Sequence, residues 1–257
     1  MTRREKLERY FERIGLKYVE PYAPNLEHLY ELHQAHNFTI PYENLDILRN
    51  KPLSLKDEDL YEKFFLNQRG GYCFEVNGLL AWLLRELGYK VTEYLARYLR
   101  GETLEYPMRR HRVMKVELPE GDYLVDVGIG DKAQRNPLLM REGLIQEDFG
   151  ELYMLKKEPI LGWVVYDQLN GEWRQFFSFT EEYQSPTDYE MPSFWCEKNP
   201  DSPFNKIPFI CLKQPKGMYT IIGDVFRDST GDTLIEKKLE TLEETTAYFK
   251  KYFNLDY

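Results

Sequence analysis

The stretch Arg69-Gly70-Gly71-Tyr72-Cys73-Phe74-Glu75-Val76-Asn77-Gly78, continuing through Leu79 to Leu87, constrains this chain more than any other. Phe74, Val76, Leu79, Leu80, Trp82, Leu83, Leu84 and Leu87 leave almost no polar face, so the segment reads as a buried helix against which other elements must pack. Gly88 stands where a left-handed C-terminal cap belongs. The Gly-Gly loop in front delivers Cys73 to the first turn. There a thiol meets the positive end of the helix dipole and unpaired backbone N–H groups, and both favour the nucleophilic thiolate. The competing reading is a small apolar core cysteine.

Length and charge set the outer bounds. A chain of 257 residues holds one large domain or two to three small ones. A net charge of −9 argues against a general nucleic-acid binder, whose footprint is a basic face. Cys73, Cys196 and Cys211 are an odd set without regular spacing, which points to a reducing compartment rather than a disulfide framework. The charged start Met1–Lys6 lacks an apolar signal segment, and no run is long enough to cross a bilayer, so the expected location is cytoplasmic with no membrane partner.

In order, helices are expected over residues 3–15, from an Asn25 cap through Leu32, and over 55–66 with Ser54 as cap. His28, His33 and His36 flank the second of these. Their spacing gives no clean ligand pair beside a carboxylate, so they read as structural or solvent-exposed rather than as a metal site. Ile40–Ile47 is an extended or turn segment because Pro41 disfavours helix at Ile40. Glu43 within it needs a partner if buried, and Arg69 is the cation of choice. After Gly88 the period becomes alternating. Strands are expected at 91–99, 111–118 and 123–127, then at 152–155 and 163–168, turning at Asn170-Gly171 into 173–177. Such short antiparallel strands suggest a barrel or sandwich. The last third mixes a short helix near 189–197, strands at 206–212 and 217–222, and a terminal helix from a Thr241/Glu244 capping box.

One histidine lies outside the N-terminal cluster: His111, at the start of a strand. Asp126 lies on the next strand, before Gly128-Ile129-Gly130. If those strands pair around the turn Pro119–Asp122, His111 and Asp126 approach each other and the helix end brings Cys73 to the imidazole. His111 would take the thiol proton, and Asp126 would fix the tautomer and stabilise the imidazolium. Alternatively, each residue serves only its own strand end. The run Arg109-Arg110-His111-Arg112, with Arg97 and Arg100, is either an anion site or a solvated basic loop.

The chain resembles the arylamine N-acetyltransferase family. The segment Ile40-Pro41-Tyr42-Glu43-Asn44-Leu45 is similar to its N-terminal motif, and Arg69–Asn77 to its nucleophile motif throughout. His111, and then Leu124-Val125-Asp126-Val127-Gly128-Ile129-Gly130, are similar to its other two catalytic positions in order and approximate spacing. Ser202-Pro203-Phe204, with Gly217 and Gly223, resembles its C-terminal region less specifically.

The resemblance implies an α+β fold: a helical bundle over 1–88 carrying the nucleophile, an antiparallel β-barrel over 89–190 carrying His111 and Asp126, and an α/β lid over 191–257. It implies a papain-like Cys-His-Asp core of Cys73, His111 and Asp126, supported by Arg69 and Glu43, with Tyr42, Ile129, Gly130 and Phe204 against the substrates. It implies acetyl-CoA as co-substrate, an arylamine or hydrazine as acceptor, a role in xenobiotic metabolism and no metal. The family often has Phe where Ile129 stands, and Phe is commoner than Tyr at position 42. The anionic coenzyme is what the arginine run would hold, if it holds an anion. The alternatives are a thiol hydrolase or transglutaminase-like enzyme with the same three residues, and a non-catalytic binding protein, against which the intact set argues.

Overall fold

A computed structural model describes residues 1–130 and 133–256. The chain opens with helices α1 (Arg3–Arg13) and α2 (Leu26–Thr39). Thr2 caps α1 in a full capping box with Glu5, and the Asn25 side chain accepts from the His28 amide to cap α2, as its position promised. A two-residue strand β1 (Tyr42–Glu43) and a single turn α3 (Leu45–Leu48) follow. The expected helix over 55–66 begins later, as α4 (Asp57–Tyr61), and ends in a π-helical turn, Glu62–Leu66. Three acids in its first turn, Asp57, Glu58 and Asp59, suit the positive end of the dipole, and Ser54 spends its hydroxyl on the Asp59 carboxylate at 2.6 Å. Helix α5 (Cys73–Glu86) is buried along nearly its whole length. Gly88 ends it at φ +90°, a conformation only glycine holds without strain.

Eight antiparallel strands come next: β2 (Lys90–Tyr98), β3 (Arg109–Leu118), β4 (Gly121–Val125), β5 (Leu138–Leu139), β6 (Ile145–Asp148), β7 (Glu151–Glu158), β8 (Gly162–Leu169) and β9 (Glu172–Phe179). Their order is β5-β4-β3-β2-β9-β8-β7-β6. The sheet curls into a nearly closed barrel. Its two edge strands are bridged by the Gln146 amide, which donates to the Leu139 carbonyl and accepts from the Leu139 N–H. Asn170 and Gly171 both have positive φ, as a type I′ hairpin requires. Tyr94, Val113, Leu124, Leu155, Phe176, Phe177 and Phe179 pack together as one core of this sheet.

The C-terminal part adds α6 (Glu190–Lys198), β10 (Phe209–Lys213), β11 (Met218–Ile222), β12 (Val225–Asp228), β13 (Ile235–Lys238) and α7 (Leu242–Phe253). Helix α7 lays Phe249 and Phe253 on Ile210, Ile221 and Phe226 of the sheet. The sheet order is β1-β10-β11-β12-β13, with Tyr42 opposite Cys211 and Glu43 opposite Ile210. Thus β1 completes the edge of the C-terminal sheet although α1 and α2 precede it. No helix among the described residues is long and apolar enough to cross a membrane.

Two of the clustered histidines are core residues. His36 Nδ1 meets the Tyr10 hydroxyl at 2.8 Å, and His33 sits between the carbonyls of Arg135 and Asp126. Burial pushes their pKa values down, His33 to about 4 and His36 to about 3. The unfolded chain therefore binds two protons near pH 6.5 that the folded chain refuses until far lower pH, so stability must fall as pH falls through this window. The expected slope is about 1.4 kcal/mol per pH unit for each histidine. Denaturant unfolding at steps between pH 7 and pH 5 measures it. A flat profile would contradict the assignment, and His36→Gln should remove about half of the slope.

Candidate active site

Cys73 is the first residue of α5, with Tyr72 at the cap position. The Tyr72 N–H donates to Glu75 Oε2 at 3.2 Å. Gly70 and Gly71 serve close approach rather than unusual backbone angles: a Cβ on Gly70 would lie 2.1 Å from the Pro41 carbonyl oxygen, and one on Gly71 2.7 Å from the Phe64 ring. The loop is thereby pressed onto the Tyr42–Glu43 strand. Beneath it runs a buried ionic network. Arg69 donates to Glu43 at 2.7 Å, as expected, and also to Asp46 at 2.9 Å. Lys63 continues it to Asp46 at 2.9 Å and Glu75 at 2.7 Å. Burial opposes the charge on Arg69 and Lys63, but the surrounding carboxylates outweigh it and raise both.

His111 lies opposite Ala96 on β2, while Met114 pairs with Val125 on β4, so Asp126 falls just past the end of its strand. The two side chains meet there: His111 Nε2 donates to Asp126 Oδ2 at 2.7 Å, with both residues buried. The other carboxylate oxygen accepts from Asn77 Nδ2 and the Gly128 N–H, each at 2.8 Å. Burial works against ionising Asp126, but His111, Asn77 and the Gly128 amide overcome it and hold the carboxyl below its ordinary range.

An apolar cavity of about 360 Å³ opens at this point. Cys73 and His111 line it, as do all four residues expected against substrate: Tyr42, Ile129, Gly130 and Phe204. Gly128 and Gly130 are required by packing. A Cβ at Gly128 would sit 2.9 Å from Cys73 Cα, and one at Gly130 2.5 Å from the Tyr42 ring. Burial pushes the Cys73 thiol well up, reinforced by Cys196 and Asp126 and opposed by Arg110 and the Phe74 amide. The lowered thiol expected from the helix end alone is therefore not what the site produces, because loss of water outweighs the dipole.

The arginine run is paired within the fold rather than forming a solvated basic loop. Arg112 is buried, bonded to Glu93 at 2.5 Å and to the Phe74 carbonyl at 3.0 Å. Arg100 pairs with Asp167 and lies 3.8 Å over the Phe176 ring, and Arg109 pairs with Glu182. Arg97 donates to the Pro107 carbonyl. Arg110 lines the cavity, paired with Glu102.

Three positions matter more than sequence reasoning allowed. Asn77 follows Cys73 by four residues and so shares its helix face. Besides Asp126, it donates to the Arg112 carbonyl at 2.5 Å and accepts from the Val127 N–H at 2.9 Å. A lone amide in so apolar a helix was the available signal. Gly78, next to it, makes room for the Arg112 guanidinium, which a Cβ would meet at 2.3 Å. Asn44 donates to the carbonyls of Phe204 and Ile207 and accepts from the Phe209 N–H, all at 2.8 Å, holding the turn that carries Phe204.

A family model described as N-acetyltransferase matches residues 25–257. The chain is an acyltransferase. It is 35% identical to the arylamine N-acetyltransferase of Escherichia coli over 212 residues, 82% of this chain and 74% of that protein. The solved arylamine N-acetyltransferase of Salmonella typhimurium superposes with a TM-score of 0.93 at 29% identity, covering 99% of this chain and 92% of that one. The Mycobacterium marinum enzyme in complex with CoA gives 0.87 at 28% identity, covering 97% and 92%. The chain belongs to the arylamine N-acetyltransferase family.

Arg69→Ala strips two buried carboxylates of a partner, and the expected cost is about 3–5 kcal/mol. A melting temperature equal to that of the unaltered protein would show that Arg69 does not carry the network.

Proposed function

We propose that this chain moves an acetyl group from acetyl-CoA to an arylamine or hydrazine through a thioester on Cys73. One observation carries the reading: Cys73 and His111 line a single apolar cavity, and His111 is held from behind by an ionised carboxylate at 2.7 Å. The volume, about 360 Å³, suits an acetyl group and a small ring. The solved relative in complex with CoA supports the donor, and the names of the relatives support the acceptor.

His111 uses Nε2 for Asp126, which leaves Nδ1 as its base. Burial keeps the isolated thiol protonated, so Cys73 becomes a nucleophile by passing its proton to His111, whose positive charge Asp126 compensates. Cys73 Sγ then bonds to the acetyl carbon, the bond from that carbon to the coenzyme sulfur breaks, and the imidazolium returns a proton to the departing thiolate. In the second half the amine nitrogen attacks the Cys73 thioester, His111 takes the amine's proton, and Cys73 leaves as thiolate. Tyr42, Ile129, Gly130 and Phe204 are the walls that hold the acceptor in line. We retain the division at 88/89 and 190/191 into bundle, barrel and lid as part of this proposal, with β1 as the element that crosses it.

Intact-mass measurement after mixing with acetyl-CoA and no amine should find one acetyl group on Cys73, and Cys73→Ala should carry none. Continuous turnover to free acetate would favour the hydrolase alternative. Iodoacetamide should modify Cys73, which shares its cavity with the base His111, faster than Cys196, whose thiol burial pushes up to about 12. Equal rates for the cysteines would mean that the proton stays on sulfur. Asp126→Asn should keep the fold and lose up to about 10⁴-fold in rate, by analogy with the serine triad. Full activity in that variant would remove Asp126 from the mechanism.

A further inference from the structure

Behind the segment that carries Asp126, Ile129 and Gly130 lie three buried polar side chains that the mechanism does not use: His33 and Asn37 on α2 and Lys213 on β10. None of them lines the cavity. Lys213 is 4% exposed. No carboxylate forms an ion pair with it among the described residues. Its ammonium donates instead to the Ile129 carbonyl at 2.8 Å and to Asn37 Oδ1 at 3.2 Å. Asn37 Nδ2 lies 3.1 Å from His33 Nδ1, and His33 reaches the carbonyls of Arg135 at 2.8 Å and Asp126 at 3.2 Å. From the other side, Arg135 donates to the carbonyls of Gln214 and Gly217 in the β10–β11 hairpin. The two segments thus exchange cations, each gripping the other's backbone.

A cation in such a place is costly. Burial opposes the charge on Lys213 and lowers its pKa. A methionine would fill the same space without that cost, so what the ammonium adds is the grip on the Ile129 carbonyl. Ile129 and Gly130 form the cavity wall, and a Gly130 packed this closely on the Tyr42 ring leaves no slack in it. His111 is bonded to Asp126 directly, and Asp126 is tied through Asn77 to the helix that begins at Cys73.

We propose that Lys213 is a positioning residue for the acceptor: by holding the Ile129 carbonyl it fixes the Ile129–Gly130 wall against which the amine is aligned. The inference rests on the acetyltransferase reading and deepens it. It separates the two half-reactions, because the Lys213 ammonium itself holds the Ile129 carbonyl, whereas the Asp126 carbonyl is held by His33.

The test is Lys213→Met, which keeps the stem and removes the donor, with an arylamine and with a hydrazine as acceptor. The expected result is an acceptor KM raised about tenfold, since small misplacements near a reacting centre carry penalties of that order. The rate at which acetyl-CoA acetylates Cys73 in a single turnover should stay within about twofold, because an interaction made only with the acceptor leaves the first step alone. A merely structural lysine would slow both half-reactions together or neither, and either outcome overturns the proposal. Asn37→Ala is the second variant, should the first not fold. It withdraws the amide that steadies Lys213, and the acceptor KM should rise in the same direction by about threefold. An unchanged acceptor KM in a folded variant discards the inference alone, whereas failure of the unaltered protein to form acetyl-Cys73 discards the reading beneath it.

Discussion

The amide of Asn77 is the contact on which this architecture turns. Helix α5 carries Cys73, and the barrel carries His111 and Asp126, so the site exists only if helix and barrel dock in one register. Asn77 sets that register. It touches the Asp126 carboxylate, the Val127 amide and the Arg112 carbonyl, and it sits one turn beyond Cys73 on the same face. The docking is close enough that Gly78 must yield to Arg112 and Gly128 to Cys73 itself. A fully bonded polar group inside an apolar interface specifies one arrangement, because any slip leaves its donors and acceptors buried and unpaired.

Much of this was legible in the residues. The apolar run after Cys73 is a helix because nothing in it can face water, and β3 and β4 pair around a turn whose residues dictate a turn. The approach of His111 and Asp126 follows from that pairing. What was hidden depends on partners distant in the chain. Tyr42 and Glu43 read as a linker between helices, and only the arrival of β10, nearly 170 positions later, turns them into a strand. The arginines around His111 read as an anion site or a solvated loop because their counterions, Glu93, Asp167 and Glu182, come from elsewhere in the barrel and the loop beyond it. Lys213 gave no signal either, as a lysine ending a strand is ordinarily solvated. The glycines were visible, but their reason was not: at positions 70, 71, 128 and 130 they answer crowding rather than backbone strain.

Electrostatically the site separates two tasks. Under the nucleophile loop, Arg69 and Lys63 are held charged by Glu43, Asp46 and Glu75, a network that fixes geometry. Above it, the Cys73 thiol donates to the Arg110 carbonyl at 3.9 Å, and burial drives it toward the neutral form. The charge that catalysis requires is therefore not stored on sulfur by the helix end. In the mechanism we propose, it arises by handing one proton to an imidazole already backed by a carboxylate.

This division bears on why such a site would transfer rather than hydrolyse. A thioester on Cys73 is neutral, so the burial that penalises a thiolate does not penalise the acylated enzyme. The apolar walls that raise the thiol's pKa also give a water molecule few groups to bind, and an ordered water needs two to four polar partners to be held in place. An aromatic amine brings its own apolar surface to the same walls, and its burial there supplies the alignment that water lacks. Under the proposed mechanism, one property, a largely apolar cavity at the start of α5, thus raises the cost of the free thiolate, leaves its acylated form unpenalised, and favours the larger nucleophile over the smaller.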